Sequence, residues 1–406
     1  MHTSPEAPGA GTAQGTFAAL SVSNFRRYIS GQALSLIGTW VETVAQALLV
    51  LHLTHSGIIL GLTTAARFAP VLLLSPYAGL LVDRFPKRRM LLVTQAGLGL
   101  VSLTLGVLVL AGNVSLGQVV VLALAFGTFS AVDNPARQAF VGELVGRDLI
   151  RDAVTLNSTT VNVARAIGPA VAAVLISTVG LGWCFIGNAV SFCFVIASLL
   201  LLDGRQLHPV PPVRRAAGQL RDGLRYAAKI PAIARPLLMM AVIGTFTFEF
   251  EVSLPLLARD TFGGTSTTYS WLIGALGAGA VIGGLYAARS QRTGLRRLTG
   301  AAAAYAVAVG LVAAAPTLPA AIAACAITGA ASVVFLTTGN ATIQLASDPA
   351  YRGRVTALWS LALVGTTPIG SPIIGSVAQL TTPRWALALG AAACVVATAI
   401  GHWNSR

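Results

Sequence analysis

Long apolar segments recur along the chain, and short stretches rich in charge, Gly or Pro separate them. A helix needs roughly 20 mostly apolar residues to cross the hydrocarbon core of a bilayer. We therefore expect an all-α membrane protein. Its predicted membrane-spanning helices are the twelve segments at residues 28–51, 58–82, 90–111, 117–138, 155–178, 183–202, 236–258, 268–288, 297–315, 319–345, 355–379 and 384–403.

A polar linker at 203–235, first Pro-rich and then basic, divides these segments six to six. The halves echo each other weakly, since RDAVTLNS at 151–158 is similar to RGRVTALW at 352–359. Internal repeats of this kind build transporters whose halves surround a central cavity. The predicted organisation is a disordered cytoplasmic tail at 1–24, an N-terminal six-helix half at 25–202, a cytoplasmic linker at 203–235 and a C-terminal six-helix half at 236–406.

Composition supports a lipid environment, because the chain is 55% apolar and only 10% charged, with a mean hydropathy of +0.76. Its net charge of +14 is a topology signal rather than a nucleic-acid signal. All but four of the 27 Lys and Arg residues lie at the termini or in one alternating set of loops, which predicts that both termini are cytoplasmic. The four exceptions are Arg67, Arg165, Arg259 and Arg384.

Enzyme signatures are absent from the sequence, which contains no G-x-x-x-x-G-K-[ST], no H-E-x-x-H and no G-x-S-x-G. The four cysteines lie inside apolar segments without metal-binding spacing. We therefore expect no enzyme activity, no cofactor and no metal. An ion gradient must then supply any driving energy; protons are the default, and Na⁺ is not excluded.

Five ionisable residues lie inside predicted spans, where a charge is costly and points to a function. They are Glu42, Arg67, Arg165, Glu249 and Glu251. One interpretation is that an acid carries the coupling proton, with Glu42 and Glu249 as first candidates and Glu251 next. The alternatives are structural ion pairs with the arginines, or recognition of a cationic substrate. Glu249 and Glu251 are separated by about 200° around a helix, so at most one should face a cavity.

Aromatic and amide side chains accompany these charges, and they suit flat amphiphilic ligands. Packing between helices or anchoring at the membrane surface is the alternative for each of them. The candidates for the substrate cavity are Trp40, Gln46, Asn157, Asn162, Phe246 and Trp359, with Phe248, Phe250, Trp271 and Gln344 considered beside them.

The stretch GLLVDRFPKRRML at 79–91 resembles the loop between spans two and three of the major facilitator superfamily, G-x-x-x-D-R-x-G-R-R/K. Gly79, Asp83 and Arg84 match that pattern with the following basic trio, whereas Pro86 replaces its glycine. The stretches at 24–56 and 133–172 resemble the bacterial branch that exports drugs, macrolides and siderophores. The resemblance implies twelve helices in two pseudo-symmetric halves around a central cavity.

The segment NVARAIGPAVAA at 162–173 resembles the antiporter motif of span five, in which Gly168 and Pro169 match and three alanines replace glycines. In the family this motif implies export. The alternative is that small residues and a proline only allow close packing and a bend.

The resemblance also implies an inner-gate latch. In the resembled fold Asp83 meets Arg137 at the end of span four and the start of span eleven near Arg354, with Arg84 and Arg88 in the same loop region. Such a contact would cross the halves and favour the outward-open state. The alternative is a loop whose charges only fix topology.

The function predicted from the sequence is proton-coupled export, or antiport, of small amphiphilic molecules such as drugs, natural products or siderophores. A proton symporter that imports a small solute, and a membrane sensor or scaffold that does not transport, are the alternatives. The expected partners are a small-molecule substrate, protons and the lipid bilayer, with no nucleic acid. We expect a monomer in the bacterial cytoplasmic (inner) membrane.

Overall fold

The computed structural model describes residues 17–146, 148–208, 219–290, 293–348 and 351–403. These residues are almost entirely helical, and no strand occurs among them. The helices are α1 (Ser23–Thr54), α2 (Gly57–Arg84), α3 (Lys87–Leu110), α4 (Leu116–Val145), α5 (Ile150–Thr178), α6 (Leu181–Leu200), α7 (Gln219–Lys229), α8 (Pro231–Phe246), α9 (Phe250–Leu256), α10 (Ser266–Ser290), α11 (Leu295–Ala314), α12 (Leu318–Ala346), α13 (Arg352–Val364), α14 (Thr367–Leu380) and α15 (Pro383–His402).

Twelve helical spans in the described part of the chain are long and apolar enough to cross a membrane. Helices α8 and α9, with a π-helical turn at Leu257–Thr261, make the seventh span. Helices α13 and α14 make the eleventh. The predicted all-α fold with twelve spans is confirmed.

Local sequence explains where several helices begin and end. Ser56 precedes α2, and its hydroxyl accepts a hydrogen bond from the amide of Ile59. Ser115 and Gln118 form a capping box at the start of α4. Gly146, which follows α4, has a φ of 73°, a backbone conformation that residues with a Cβ rarely adopt. These signals produce short connections between neighbouring spans.

The seventh and eleventh spans are interrupted near their centres. The seventh unwinds at 247–249, where the Thr247 hydroxyl donates to the carbonyl of Gly390 on α15. The eleventh breaks at Gly365 and Thr366, just before Pro368, which has no amide hydrogen to donate. Irregular backbone inside a membrane is tolerated where it is buried in protein or lines a cavity. Both breaks lie beside a cavity wall that includes Phe248, Val364 and Thr367.

Helices α1–α6 form one half of the bundle and α8–α15 the other, and the halves meet through α2 with α14 and α5 with α10. Small residues permit this approach. A Cβ added to Gly61 on α2 would lie 2.3 Å from the carbonyl oxygen of Ser371 on α14. One added to Gly277 on α10 would lie 2.6 Å from the Cα of Ala166 on α5. Such close backbone contact is how membrane helices associate without a hydrophobic driving force.

We call the end of the bundle that carries residues 17–22 and 403 the terminal end, and the opposite end the distal end. Hydrogen bonds cross the two halves at the distal end. The Gln379 side chain accepts from the Ser56 hydroxyl at 2.6 Å and from the Ile58 amide at 2.9 Å. Arg259 donates to the carbonyl of His55. These contacts hold the halves together at the distal end.

The second half of the linker forms the short helix α7, which lies against the start of span eleven. The Tyr226 ring stacks on Tyr351 with centroids 4.0 Å apart. The Tyr226 hydroxyl donates to the Asp348 carboxylate at 3.1 Å and accepts from its amide. The linker is thus attached to the C-terminal half.

Candidate substrate cavity

A cavity of about 440 Å³ lies between the two halves. This is the size range of sites for small organic molecules. Its walls carry aromatic side chains and five charged ones. The aromatic residues are Trp40, Phe68, Phe126, Phe192, Phe248 and Phe250, and the charged ones are Arg67, Asp133, Arg137, Arg165 and Glu251. The cavity extends from Glu251, towards the distal end, to Asn134 and Arg137, towards the terminal end.

Glu251 follows the break in the seventh span and lies on the cavity wall. Arg67 of α2 and Arg165 of α5 are close enough to act on its carboxylate electrostatically. Within the described ranges neither arginine forms an ion pair with Glu251 at 4 Å or less. The three side chains form a group in which two arginines face one acid.

Aromatic rings flank both arginines. The Arg67 guanidinium lies 4.3 Å from the centre of the Phe126 ring, and its Nη1 donates to the Gln46 amide oxygen at 2.8 Å. The Arg165 guanidinium lies 5.3 Å from the Trp40 ring. The Nε of Arg165 is buried and has no hydrogen-bond partner among the described residues. Arg165 therefore has unused donor capacity at the cavity.

The other two predicted acids lie inside the protein, behind the cavity wall. Glu42 is 1% exposed and accepts hydrogen bonds at 2.5 Å from Ser102 on α3 and Asn188 on α6. Glu249 is 3% exposed and accepts one at 2.5 Å from Ser371 on α14. Its Oε1 is buried without a partner in the described part of the chain. Of the three acids, only Glu251 is found on the cavity wall.

Asp133, near the terminal end of the cavity, was missed by the sequence reasoning. One of its oxygens accepts from Thr94 at 2.7 Å and Gln95 at 2.8 Å, and the other pairs with Arg137 at 2.9 Å. The signal was present, because an acid four residues before an arginine lies on the same helix face. Asp133 lies near the end of the predicted span 117–138, where a charge gives a weaker indication of function than one at the centre of a span.

The predicted latch residues are distributed as follows. The side chain of Asp83 lies outside the described part of the structure, so the pairing of Asp83 with Arg137 stays a prediction. Arg88 donates to the carbonyls of Leu199 and Leu200 at the end of α6, within its own half. Arg84 is exposed at the end of α2. The Arg354 guanidinium lies 4.9 Å from the Tyr351 ring.

The predicted cavity residues divide into two groups. Trp40 lines the main cavity, and Gln46 lines a small adjoining pocket that Arg67 and Glu251 share. Trp359 is instead packed beside Phe335, with ring centroids 6.2 Å apart. Besides Gln46, the predicted residues that do not line the main cavity are Asn157, Asn162, Phe246, Trp271, Trp359 and Gln344.

Gly168 of the antiporter-like motif on α5 packs closely against α1. A Cβ added to Gly168 would lie 2.4 Å from the Cβ of Trp40. Gly168 thus lets α5 pack directly against the part of α1 that carries Trp40. The observation fits the packing interpretation, and the export interpretation stays a prediction.

The fold is that of the major facilitator transporters. A bacterial homologue of the human lysosomal transporter Spinster, in an inward-facing and occupied conformation, matches with a TM-score of 0.72 and 14% identity over 93% of this chain and 95% of that one. A D-xylose–proton symporter matches with a TM-score of 0.74 and 13% identity, over 94% of this chain and 98% of that one. At these identities the likeness shows the fold alone.

Residues 14–405 match the family described as Transmembrane secretion effector. The chain belongs to this family of the major facilitator superfamily, whose members are transporters and not enzymes. The predicted superfamily is therefore confirmed.

Curated relatives are siderophore transporters. The enterobactin exporter EntS of Shigella flexneri is 28% identical over 367 residues, which cover 88% of this chain and 84% of that one. The staphyloferrin A transporter of Staphylococcus aureus is 28% identical over 258 residues, which cover 63% of this chain and 64% of that protein. The match therefore spans less than two thirds of that transporter's length. Twelve spans and bacterial relatives together indicate a multi-pass inner-membrane protein.

Proposed function

We propose that this protein is a proton-coupled exporter of small amphiphilic molecules, siderophores among them, and that it acts as a monomer by alternating access. The observation that carries the proposal is the aromatic cavity between the halves, with a carboxylate and two arginines at mid-membrane. An ionisable side chain inside the bilayer raises the free energy of the folded protein, so its presence there points to a function. The family described as Transmembrane secretion effector and the enterobactin exporter support the outward direction.

We further propose that the terminal end faces the cytoplasm. The arginines and lysines outside the spans are concentrated there, as the positive-inside rule requires. In that orientation the cavity is closed towards the periplasm by the contacts of Gln379 and Arg259. The structure then represents an inward-facing state.

Transport in inverted membrane vesicles tests the proposal. The probe is a neutral fluorescent amphiphilic dye such as Nile red, with an imposed pH gradient, acid inside. We expect dye uptake that needs this gradient, stops on adding a protonophore and falls about a hundredfold or more in Glu251→Gln, the lower end of what a proton-transfer group contributes to a rate. Asp222→Asn, an exposed acid on α7, is the control. Dye uptake that is equal with and without the pH gradient would exclude proton coupling.

The same assay ranks the acids. Glu42→Gln and Glu249→Gln keep the shape of their side chains and can still accept a hydrogen bond from Ser102 or Ser371. We expect both to retain more transport than Glu251→Gln, because neither lies on the cavity wall. Unchanged transport in Glu251→Gln with loss in either of the others would reassign the proton site.

We also propose that contacts at the two ends of the bundle stabilise opposite conformations of the transport cycle. The latch predicted at Asp83 would stabilise closure at the terminal end, whereas Gln379 stabilises closure at the distal end. Asp83→Asn should then increase cysteine labelling at the terminal mouth, and Gln379→Ala should decrease it. Shifts in the same direction, or no shift in Asp83→Asn, would leave that acid with a topological role only.

A further inference from the structure

The charge balance of the cavity indicates which kind of ligand fits it. At the terminal end Asp133 and Arg137 neutralise each other through a 2.9 Å ion pair, and Asp133 receives two further hydrogen bonds. Towards the distal end, two arginines face one carboxylate. The uncompensated charge of the cavity is therefore positive and lies between Arg67, Arg165 and Glu251.

Of the two arginines, Arg165 has fewer of its hydrogen-bond donors satisfied by the described residues. Its Nε is buried and unpartnered among the described residues, whereas Arg67 already donates to Gln46. A buried donor on a charged group is costly to leave without an acceptor. No ion pair at 4 Å or less joins Glu251 to either arginine within the described ranges, and all three side chains line the cavity, so a ligand anion can approach the arginines from the cavity.

The aromatic walls add a second requirement. Trp40 and Phe126 each lie beside a guanidinium, and such stacking leaves the N–H edge free to meet a planar acceptor. Phe248 and Phe250 line the same cavity from the broken seventh span. A flat apolar group can lie among these rings while an attached oxyanion reaches the arginines.

We propose that the cavity binds an aromatic or amphiphilic anion, whose carboxylate or other oxyanion is held by Arg165 and Arg67. This proposal rests on the proposed function and specifies its substrate class. It reverses the sequence interpretation in which the acids recognise a cation. Glu251 is then an internal competitor for the same two arginines, so removing its charge strengthens ligand binding.

Equilibrium binding to the purified full-length protein in lipid nanodiscs tests this assignment without any transport step. The probes share one ring system and differ in charge: 1-naphthoate, 1-naphthamide and 1-naphthylmethylammonium. We expect naphthoate to bind most tightly. Arg165→Gln should weaken naphthoate at least about tenfold, the factor for a charge-assisted hydrogen bond, and change naphthamide little. Glu251→Gln should strengthen naphthoate binding.

Two further variants separate charge recognition from misfolding. Arg165→Lys keeps the charge and should retain more naphthoate affinity than Arg165→Gln. Arg384→Gln removes an arginine that bonds the carbonyl of Ala315 outside the cavity, and it should bind all three probes as the wild type does. Monodisperse elution on size-exclusion chromatography establishes that each variant is folded.

Several results would overturn the proposal. They are tighter binding of the ammonium probe, equal binding of the three probes, binding of none, or an equal loss for all three probes in Arg165→Gln. Failure here is distinguishable from failure of the proposed function, because gradient-driven dye transport can persist in a protein that has no preference for anions.

Discussion

Glu42 and Glu251 are both acids at mid-membrane, but the protein surrounds them differently. Glu42 accepts two hydrogen bonds from neighbouring helices of its own half and is 1% exposed. Glu251 lies on the cavity wall beside two arginines, and no hydrogen bond to it is found in the described part of the chain. The comparison teaches that acids at similar positions along two spans can have different surroundings, which their positions in the sequence do not reveal. A carboxylate that accepts hydrogen bonds from neighbouring helices stabilises their packing. A carboxylate whose oxygens accept no hydrogen bond from the protein can interact with a ligand.

The largest expected effect concerns stability. Glu42→Ala leaves the Ser102 hydroxyl and the Asn188 amide without their acceptor and creates a cavity between three helices. We expect a loss of about 2–5 kcal/mol. Glu251→Ala should cost less than Glu42→Ala, because no hydrogen-bond donor loses its partner and only the compensating charge beside the two arginines is removed.

Thermal unfolding measures this difference, with a thiol-reactive dye that reports on the buried cysteines Cys184, Cys325 and Cys394. A clear drop in Tm for Glu42→Ala and a smaller one for Glu251→Ala is the expected pattern. Equal drops would remove the distinction between the two acids.

An intermediate effect is expected at Glu249, which accepts a hydrogen bond from the Ser371 hydroxyl. Ser371→Ala removes that donor and should destabilise the protein by about 1–2 kcal/mol, because the carboxylate stays buried. Ser376→Ala on the same helix is the matched control, since its hydroxyl donates to the carbonyl of Pro372 within that helix and not to a carboxylate among the described residues. If both variants unfold at the same temperature, the Ser371–Glu249 contact contributes nothing measurable.

Much of the fold was predictable because apolar length is a strong local signal. Twelve spans, the six-to-six division and the intramembrane positions of Glu42, Arg67, Arg165, Glu249 and Glu251 all follow from reading the chain in order. Interruption of the seventh span within 247–249 was not predicted, since the residues there are apolar or helix-compatible. The break depends on a hydrogen bond between Thr247 and Gly390, which are far apart in sequence.

The direction in which each side chain points could not be predicted. Segment edges uncertain by a few residues shift the apparent face of a helix, because each residue rotates the face by about 100°. The pairing of Glu42 with Asn188 and of Glu249 with Ser371 joins residues more than one hundred positions apart. Sequence reasoning therefore ranked Glu42 and Glu249 above Glu251, whereas the cavity wall carries Glu251.

The smallest expected effect tests how the cavity arginines are positioned. Trp40→Leu removes the ring 5.3 Å from the Arg165 guanidinium and keeps an apolar side chain against Gly168. A cation–π contact of this kind contributes about 0.5–1 kcal/mol, so naphthoate affinity should fall about two- to fivefold. Trp359→Leu is the matched control, because Trp359 packs beside Phe335 and does not line the cavity. A larger loss in the control than in Trp40→Leu would mean that the ring beside Arg165 does not orient it, and that the contrast between the two acids reflects burial alone.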